Sequence, residues 1–270
     1  MRGLGRKPIQ QQNRYLHPRS IDKNRQGSFI RFSRENPVID RDLAEQINEV
    51  ERLLEDIDRL LEKEYGQPSP RRKLRPLDEL ILTILSQHTT DVNSNRAFER
   101  LKQRYPTWEM VMEADPADIE DAIRSGGLAR IKAIRIKELL FKLWADYGEL
   151  NLDFLCDLEL GKARELLRSL VGVGPKTAAC VLLFSCGKPA FPVDTHIHRV
   201  AKRLGLIGEA VSAEDAHLLL EAAVPPDRIF PFHVNLIVHG RRVCTAQRPR
   251  CEHCVLASLC RSYQSSAFGR

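Results

Sequence analysis

No run of about 18 apolar residues occurs anywhere in this 270-residue chain, and its first residues lack an apolar signal core. A membrane-spanning helix and a secretory leader are therefore not expected. No stretch alternates apolar and polar residues convincingly enough for a strand ladder, which sets aside sandwiches, barrels and parallel sheets. No repeat of fixed period occurs, so a solenoid is not expected. Acid is scarce at the start. Residues 1–34 hold Arg2, Arg6, Lys7, Arg14, Arg19, Lys23, Arg25, Arg31 and Arg34 against the single acid Asp22.

That stretch carries +8 of a net +6, so the rest of the chain sits at −2. Charge and a pI near 9.0 favour a polyanion such as nucleic acid as partner. Residues 1–40 are poor in apolar residues and lack periodicity, and they read as a disordered basic tail. The tail suits either a non-specific DNA tether or a solvated extension. An Arg-rich, acid-poor start is also the composition of an organelle transit peptide, so targeting stays open beside a cytoplasmic, nucleoid-associated location. The body, with an apolar fraction of 43%, can bury a real core.

Seven cysteines are present, an odd number. Four of them, Cys244, Cys251, Cys254 and Cys260, crowd into CTAQRPRCEHCVLASLC with gaps of six, two and five. Two centres compete for four thiolates, a structural zinc and an iron–sulfur cluster. Zinc sites commonly use two separated CxxC knuckles, and only one occurs here, Cys251 to Cys254. Single cysteines flank it unequally, which favours one compact cluster wrapped by one loop. The spacing differs from the bacterial ferredoxin run. A disulfide pair or four unrelated buried thiols is the plainer alternative. Cys156, Cys180 and Cys186 lie in LDFLCDL and TAACVLLFSC and read as small core residues. Together these features suggest a reducing cytosol.

The body reads as successive helices, an all-α fold. Leu43, Ile47, Val50, Leu54, Ile57 and Leu61 recur at three- and four-residue steps over 41–64. Residues 77–87 look like a buried helix, and Asp91 is expected to cap the next one. Asp115-Pro116 starts a helix and Gly126-Gly127 stops it. Helices follow over 130–146, 162–170, 175–185, 195–204, 212–223 and 230–239, with Ser212 and Asp215 spaced as a capping box.

LVGVGPKTA sits between two helical runs. Gly172 and Gly174 permit a tight hairpin or a close backbone approach, and Pro175 suits a first helical turn. Free amides and a helix N-terminus make an anion site suited to a DNA phosphate, though an ordinary helix–helix turn would look similar. Lys176 falls in that first turn, where the helix dipole disfavours added positive charge. It is a candidate amine nucleophile or a plain phosphate contact. In FPVDTHIHR, Asp194 either caps the following helix or faces a cleft, or does both. His196 and His198 are two residues apart, do not share a helix face, and read as structural or phosphate-contacting.

These segments, taken in order, resemble the endonuclease III family of DNA glycosylases, within the helix-hairpin-helix glycosylase superfamily. The resemblance covers about residues 42–262 and rests on LSQHTTD, LVGVGPKTA, VDTHIHR, HGRRVC and the cysteine spacing. It implies a six-helix domain over 71–189 and a second helical domain, from 41–70 and 190–262, carrying a 4Fe–4S cluster. A DNA-binding groove would lie between them. Lys176 matches the nucleophilic lysine and Asp194 the catalytic aspartate of a bifunctional glycosylase and abasic-site lyase. The implied substrate is double-stranded DNA with oxidised pyrimidines or abasic sites, and the chain is expected to act as a monomer. His88 and Asp91 match positions near the lesion, and Leu128 a wedge that fills the vacated stack. Arg248 and Arg250 form a basic knob on the cluster loop, suited to phosphates. The family often has Gln at His88 and commonly proline at Val171. A uracil or mismatch glycosylase on the same fold, and a non-catalytic DNA-binding module, remain alternatives.

Overall fold

The computed structural model describes residues 41–69 and 73–265, with side chains from residue 51 onward. The expected basic tail, residues 1–40, lies outside the described residues. Among the described residues every regular element is helical.

The chain enters with α1, Arg41–Tyr65, whose Leu54, Ile57 and Leu61 are buried on one stripe, as the periodicity predicts. Next comes α2, Pro76–Ser86, with proline at its first position and Leu80, Ile81 and Leu85 fully buried. Helix α3 spans Asp91–Arg104. Its cap is Thr90, whose hydroxyl accepts the Asn93 N–H at 3.3 Å, and not Asp91. Thr90 can cap because its backbone is extended, whereas Asp91 is already helical. Sequence periodicity passed over the six-residue α4, Trp108–Glu113, which is too short to show a period. Then come α5, Pro116–Ala122, capped by Asp115 at 2.8 Å, and α6, Ala129–Tyr147.

The remaining helices are α7, Leu160–Ser169; α8, Pro175–Phe184; α9, Thr195–Leu204; α10, Ala213–Ala223; α11, Ile229–Arg242; and α12, Arg261–Gln264. Ser212 caps α10 as expected, accepting the Asp215 N–H at 3.0 Å.

Two apolar cores form. Leu80, Leu101, Ile136, Leu167 and Leu182 belong to the first, which draws on α2–α8. Ile57, Leu61, Ile197, Phe232 and Leu236 belong to the second, which joins α1 to α9–α11. Helix α8 feeds both, since Leu182 packs into the first and its neighbour Leu183 into the second. Fully burying each such side chain stabilises the fold by about 1.5–3 kcal/mol. Arg228, just before α11, reinforces the second core by pairing with Asp58 and Glu62 of α1.

Candidate active site

The hairpin between α7 and α8 turns at Gly172, whose φ of 77° is costly for any residue with a Cβ. Gly174 does not share that conformation. Its φ is −87°, and a Cβ placed there would meet nothing within 4 Å. What the glycine supplies is therefore an open approach to the backbone. Pro175 opens α8 and Lys176 follows, half-buried in the first turn. Asp194 caps α9 through Oδ1, which accepts the Ile197 N–H at 2.8 Å. One oxygen thus caps, leaving Oδ2 outside that bond.

The floor between these two residues is dry. His233 of α11 is 2% exposed and packs edge-on against Phe184 and Phe191, at centroid distances of 5.6 and 5.8 Å. Burial pulls its pKa down to about 4, and both Asp194 and Lys176 act on it through their charges. Cys180, one turn after Lys176, is pushed up to about 11 by burial, against the charge of Lys176. Glu79 of α2 is raised by burial, against a 3.3 Å hydrogen bond from Thr83 and the charge of Lys176. An amine and a carboxylate thus stand on a poorly screened floor, where charge–charge effects act more strongly than in water. Sequence reasoning passed over Glu79 and His233, and read Cys180 only as a small core residue. Only their spacing from Lys176 and within apolar helices could have signalled them.

His88 and Leu128 are both exposed, and they are the non-glycine residues with positive φ among the described residues, at 55° and 50°. Asp91, first in α3, sends its carboxylate to Arg241 of α11 at 2.6 Å, which links the two cores. Both partners are largely exposed, so the pair adds little stability.

The four clustered cysteines line one cavity with Arg203, His239 and Tyr263. Among the described residues no group of three or more His, Cys, Asp or Glu gathers tightly enough for a single ion. Four thiols around one cavity are the donor set that a single iron–sulfur cluster takes. Two arginines one turn apart on α9, both missed in the sequence, tie the loop down. Arg199 Nη2 donates to the carbonyls of Gly240 at 2.8 Å and Cys244 at 2.9 Å. Arg203 Nη1 donates to the Cys244 Sγ at 3.3 Å and to the Thr245 carbonyl at 2.7 Å. His196 and His198 take the structural role expected of them, beside Arg199 and on the Val211 carbonyl. Arg248 and Arg250 are exposed on the same loop.

Two of the remaining three cysteines depart from expectation. Only Cys180 is a buried thiol. Cys156 and Cys186 are half-buried and form a disulfide, with Cα atoms 4.8 Å apart. The short helical turn at Asp153–Cys156 packs beside the end of α8, bringing together residues 30 apart in sequence.

Residues 81–226 match the model of the HhH-GPD superfamily base excision DNA repair protein, and residues 244–260 that of the iron-sulfur binding domain of endonuclease III. A provisionally named DNA glycosylase of Arabidopsis thaliana is 40% identical over 63% of this chain and 57% of its own length. Endonuclease III of Thermotoga maritima is 36% identical over 80% of this chain and 96% of its own. The chain thus spans little more than half of the plant relative and nearly all of the bacterial one. A trapped endonuclease III–DNA covalent intermediate matches with a TM-score of 0.67 at 30% identity, covering 82% of this chain and 98% of that one.

Proposed function

The chain belongs to the endonuclease III family of base excision repair DNA glycosylases, and on that premise we propose that it is also an abasic-site lyase that removes oxidised pyrimidines. The observation that carries this reading is Lys176, a primary amine in the first turn of α8, set with Asp194 over the dry floor of Cys180 and His233. A damaged nucleotide leaves the stack because its sugar carbon is unreachable inside the duplex. The backbone at Gly172 and Gly174 takes a phosphate, Arg248 and Arg250 take others, and His88, Asp91 and Leu128 face the disturbed pair. The Lys176 amine attacks the anomeric carbon as the base departs. Asp194 offsets the positive charge that develops on the sugar and assists proton transfer. The resulting Schiff base undergoes β-elimination, which breaks the strand on the 3′ side.

The protein carries a 4Fe–4S cluster. In this reading Cys244, Cys251, Cys254 and Cys260 hold it, and its contribution is to order the loop that bears Arg248 and Arg250. Arg203 supports the first of these ligands directly.

Borohydride trapping tests the lyase, on duplexes carrying one oxidised thymine, one uracil or one abasic site. A covalent adduct with the oxidised thymine, lost in Lys176→Ala, is the expected result. Best trapping on uracil would move the substrate class to uracil or mismatched bases. Tight binding with no adduct on any duplex would overturn the lyase and leave a monofunctional glycosylase.

A further inference from the structure

Lys132, in the first turns of α6, is 2% exposed, a rare setting for a lysine. Its Nζ donates to three backbone carbonyls, Leu85 at 2.7 Å, Gln87 at 2.6 Å and Gly126 at 2.7 Å. Leu85 and Gln87 close α2, and Gly126 closes the short helical turn at Arg124–Gly126. The ammonium therefore stands at the negative ends of two helical segments and satisfies carbonyls that a helix end leaves without partners. A lysine suits the place. Three N–H groups meet three acceptors, and neither a neutral amide nor a planar guanidinium reproduces that arrangement.

Just beyond those carbonyls lie the two strained residues. His88 follows Gln87, and Leu128 comes two residues after Gly126. A Cβ on Gly127 would sit 3.8 Å from the His88 carbonyl, so the two loops touch. Side-chain-bearing residues keep a left-handed backbone only where their surroundings over-determine it. Here Lys132 is the group that binds both loops at once.

We propose that Lys132 is a positioning residue for lesion recognition, locking the His88 loop and the Leu128 loop into one rigid unit that enters the duplex as a single tool. This rests on the reading that His88 and Leu128 face the disturbed base pair. Rigidity matters because the two side chains must arrive together, one meeting the orphaned base and one filling the gap. Misplacement of either by about 1 Å is enough to cost up to about 100-fold in rate.

The test compares two reactions of full-length Lys132→Met. Base excision from a paired lesion duplex is expected to fall about 30-fold or more, while borohydride trapping at an abasic site, where no base must be displaced, falls less than about threefold. The fluorescence rise of a 2-aminopurine opposite the lesion should weaken in parallel with excision. Equal losses in both reactions would make Lys132 a plain structural residue and overturn the proposal. A second measurement does not depend on that variant folding. If the loops act as one unit, His88→Ala and Leu128→Ala should be strongly non-additive, with the double variant near the worse single one. Independent, multiplying losses would overturn the proposal. The underlying reading fails differently: His88→Ala and Leu128→Ala would then each leave excision and the fluorescence rise unchanged.

Discussion

Gly240 packs closely against α9, and replacing it with alanine measures how little slack that packing has. A Cβ at Gly240 would lie 3.0 Å from the His196 Cβ, 3.3 Å from Val200 Cγ2 and 3.5 Å from the His196 carbonyl oxygen. None of these atoms is the far end of a flexible side chain. The His196 Cβ moves only if α9 moves, and α9 is held by Arg199 on the Gly240 and Cys244 carbonyls. Alanine is favoured over glycine in a helix interior by about 1 kcal/mol. Overpacking of this kind costs about 1–3 kcal/mol. Two contacts tighter than ordinary van der Waals distance, on an anchored helix, place the cost at the upper end, so the net destabilisation is about 1–2 kcal/mol. For a domain of this size that lowers Tm by roughly 2–8 °C. The strain falls four residues before Cys244, so the visible absorbance near about 400 nm should also bleach faster in chelator. Calorimetry on Gly240→Ala and wild type, with absorbance followed in parallel, is the assay. An unchanged or raised Tm with unaltered bleaching would refute the argument and show that the two helices separate freely.

Three further outcomes are expected. His233 has a folded pKa of about 4 against an ordinary value of 6.5, so between these the unfolded chain binds the extra proton. Its stabilising effect is complete above pH 6.5 and lost as pH falls toward 4, about 2 kcal/mol by pH 5. The pH 7 to pH 5 drop in stability, read from urea midpoints, should shrink by that amount in His233→Asn. Arg203→Met removes the donors to Cys244 Sγ, Thr245 and Ala246, and iron per protein should fall to roughly half or less by colorimetric assay. Cys156→Ser opens a loop of 30 residues beside the first core and should cost up to about 3–4 kcal/mol in denaturant unfolding, while reductant should shift wild type but not the variant.

The helices were legible in the sequence wherever a period or a cap recurred. α1 showed its Leu54, Ile57 and Leu61 stripe, and Pro175 and Pro116 marked two starts within a residue. α4 was not, because six residues make less than two turns. The placement of Lys176 and Asp194 at helix starts was legible because the flanking glycine, proline and aspartate leave a local signature. Lys132 was not, because a lysine near the start of a helix looks solvent-facing until the carbonyls of two distant segments are brought around it. The same holds for Arg199 and Arg203, whose partners at the end of α11 and on the cysteine loop lie 41 or more residues away. The Cys156–Cys186 pair was missed because apolar neighbours describe burial and not mutual distance.

The order of the two cores sets a timing problem at synthesis. Helix α1 is the first described helix to leave the ribosome, yet α11, which packs against it, comes more than a hundred residues later. At about 5–20 residues per second, α1 waits on the order of ten seconds or more with Leu54, Ile57 and Leu61 uncovered. The intervening residues can close their own core in that interval, since α2–α8 supply it without α1. The nascent chain therefore passes through a half-built stage: a finished middle, with a greasy leading helix hanging from it. A message broken before α9 would freeze that stage permanently, and its product is a natural client for holding chaperones.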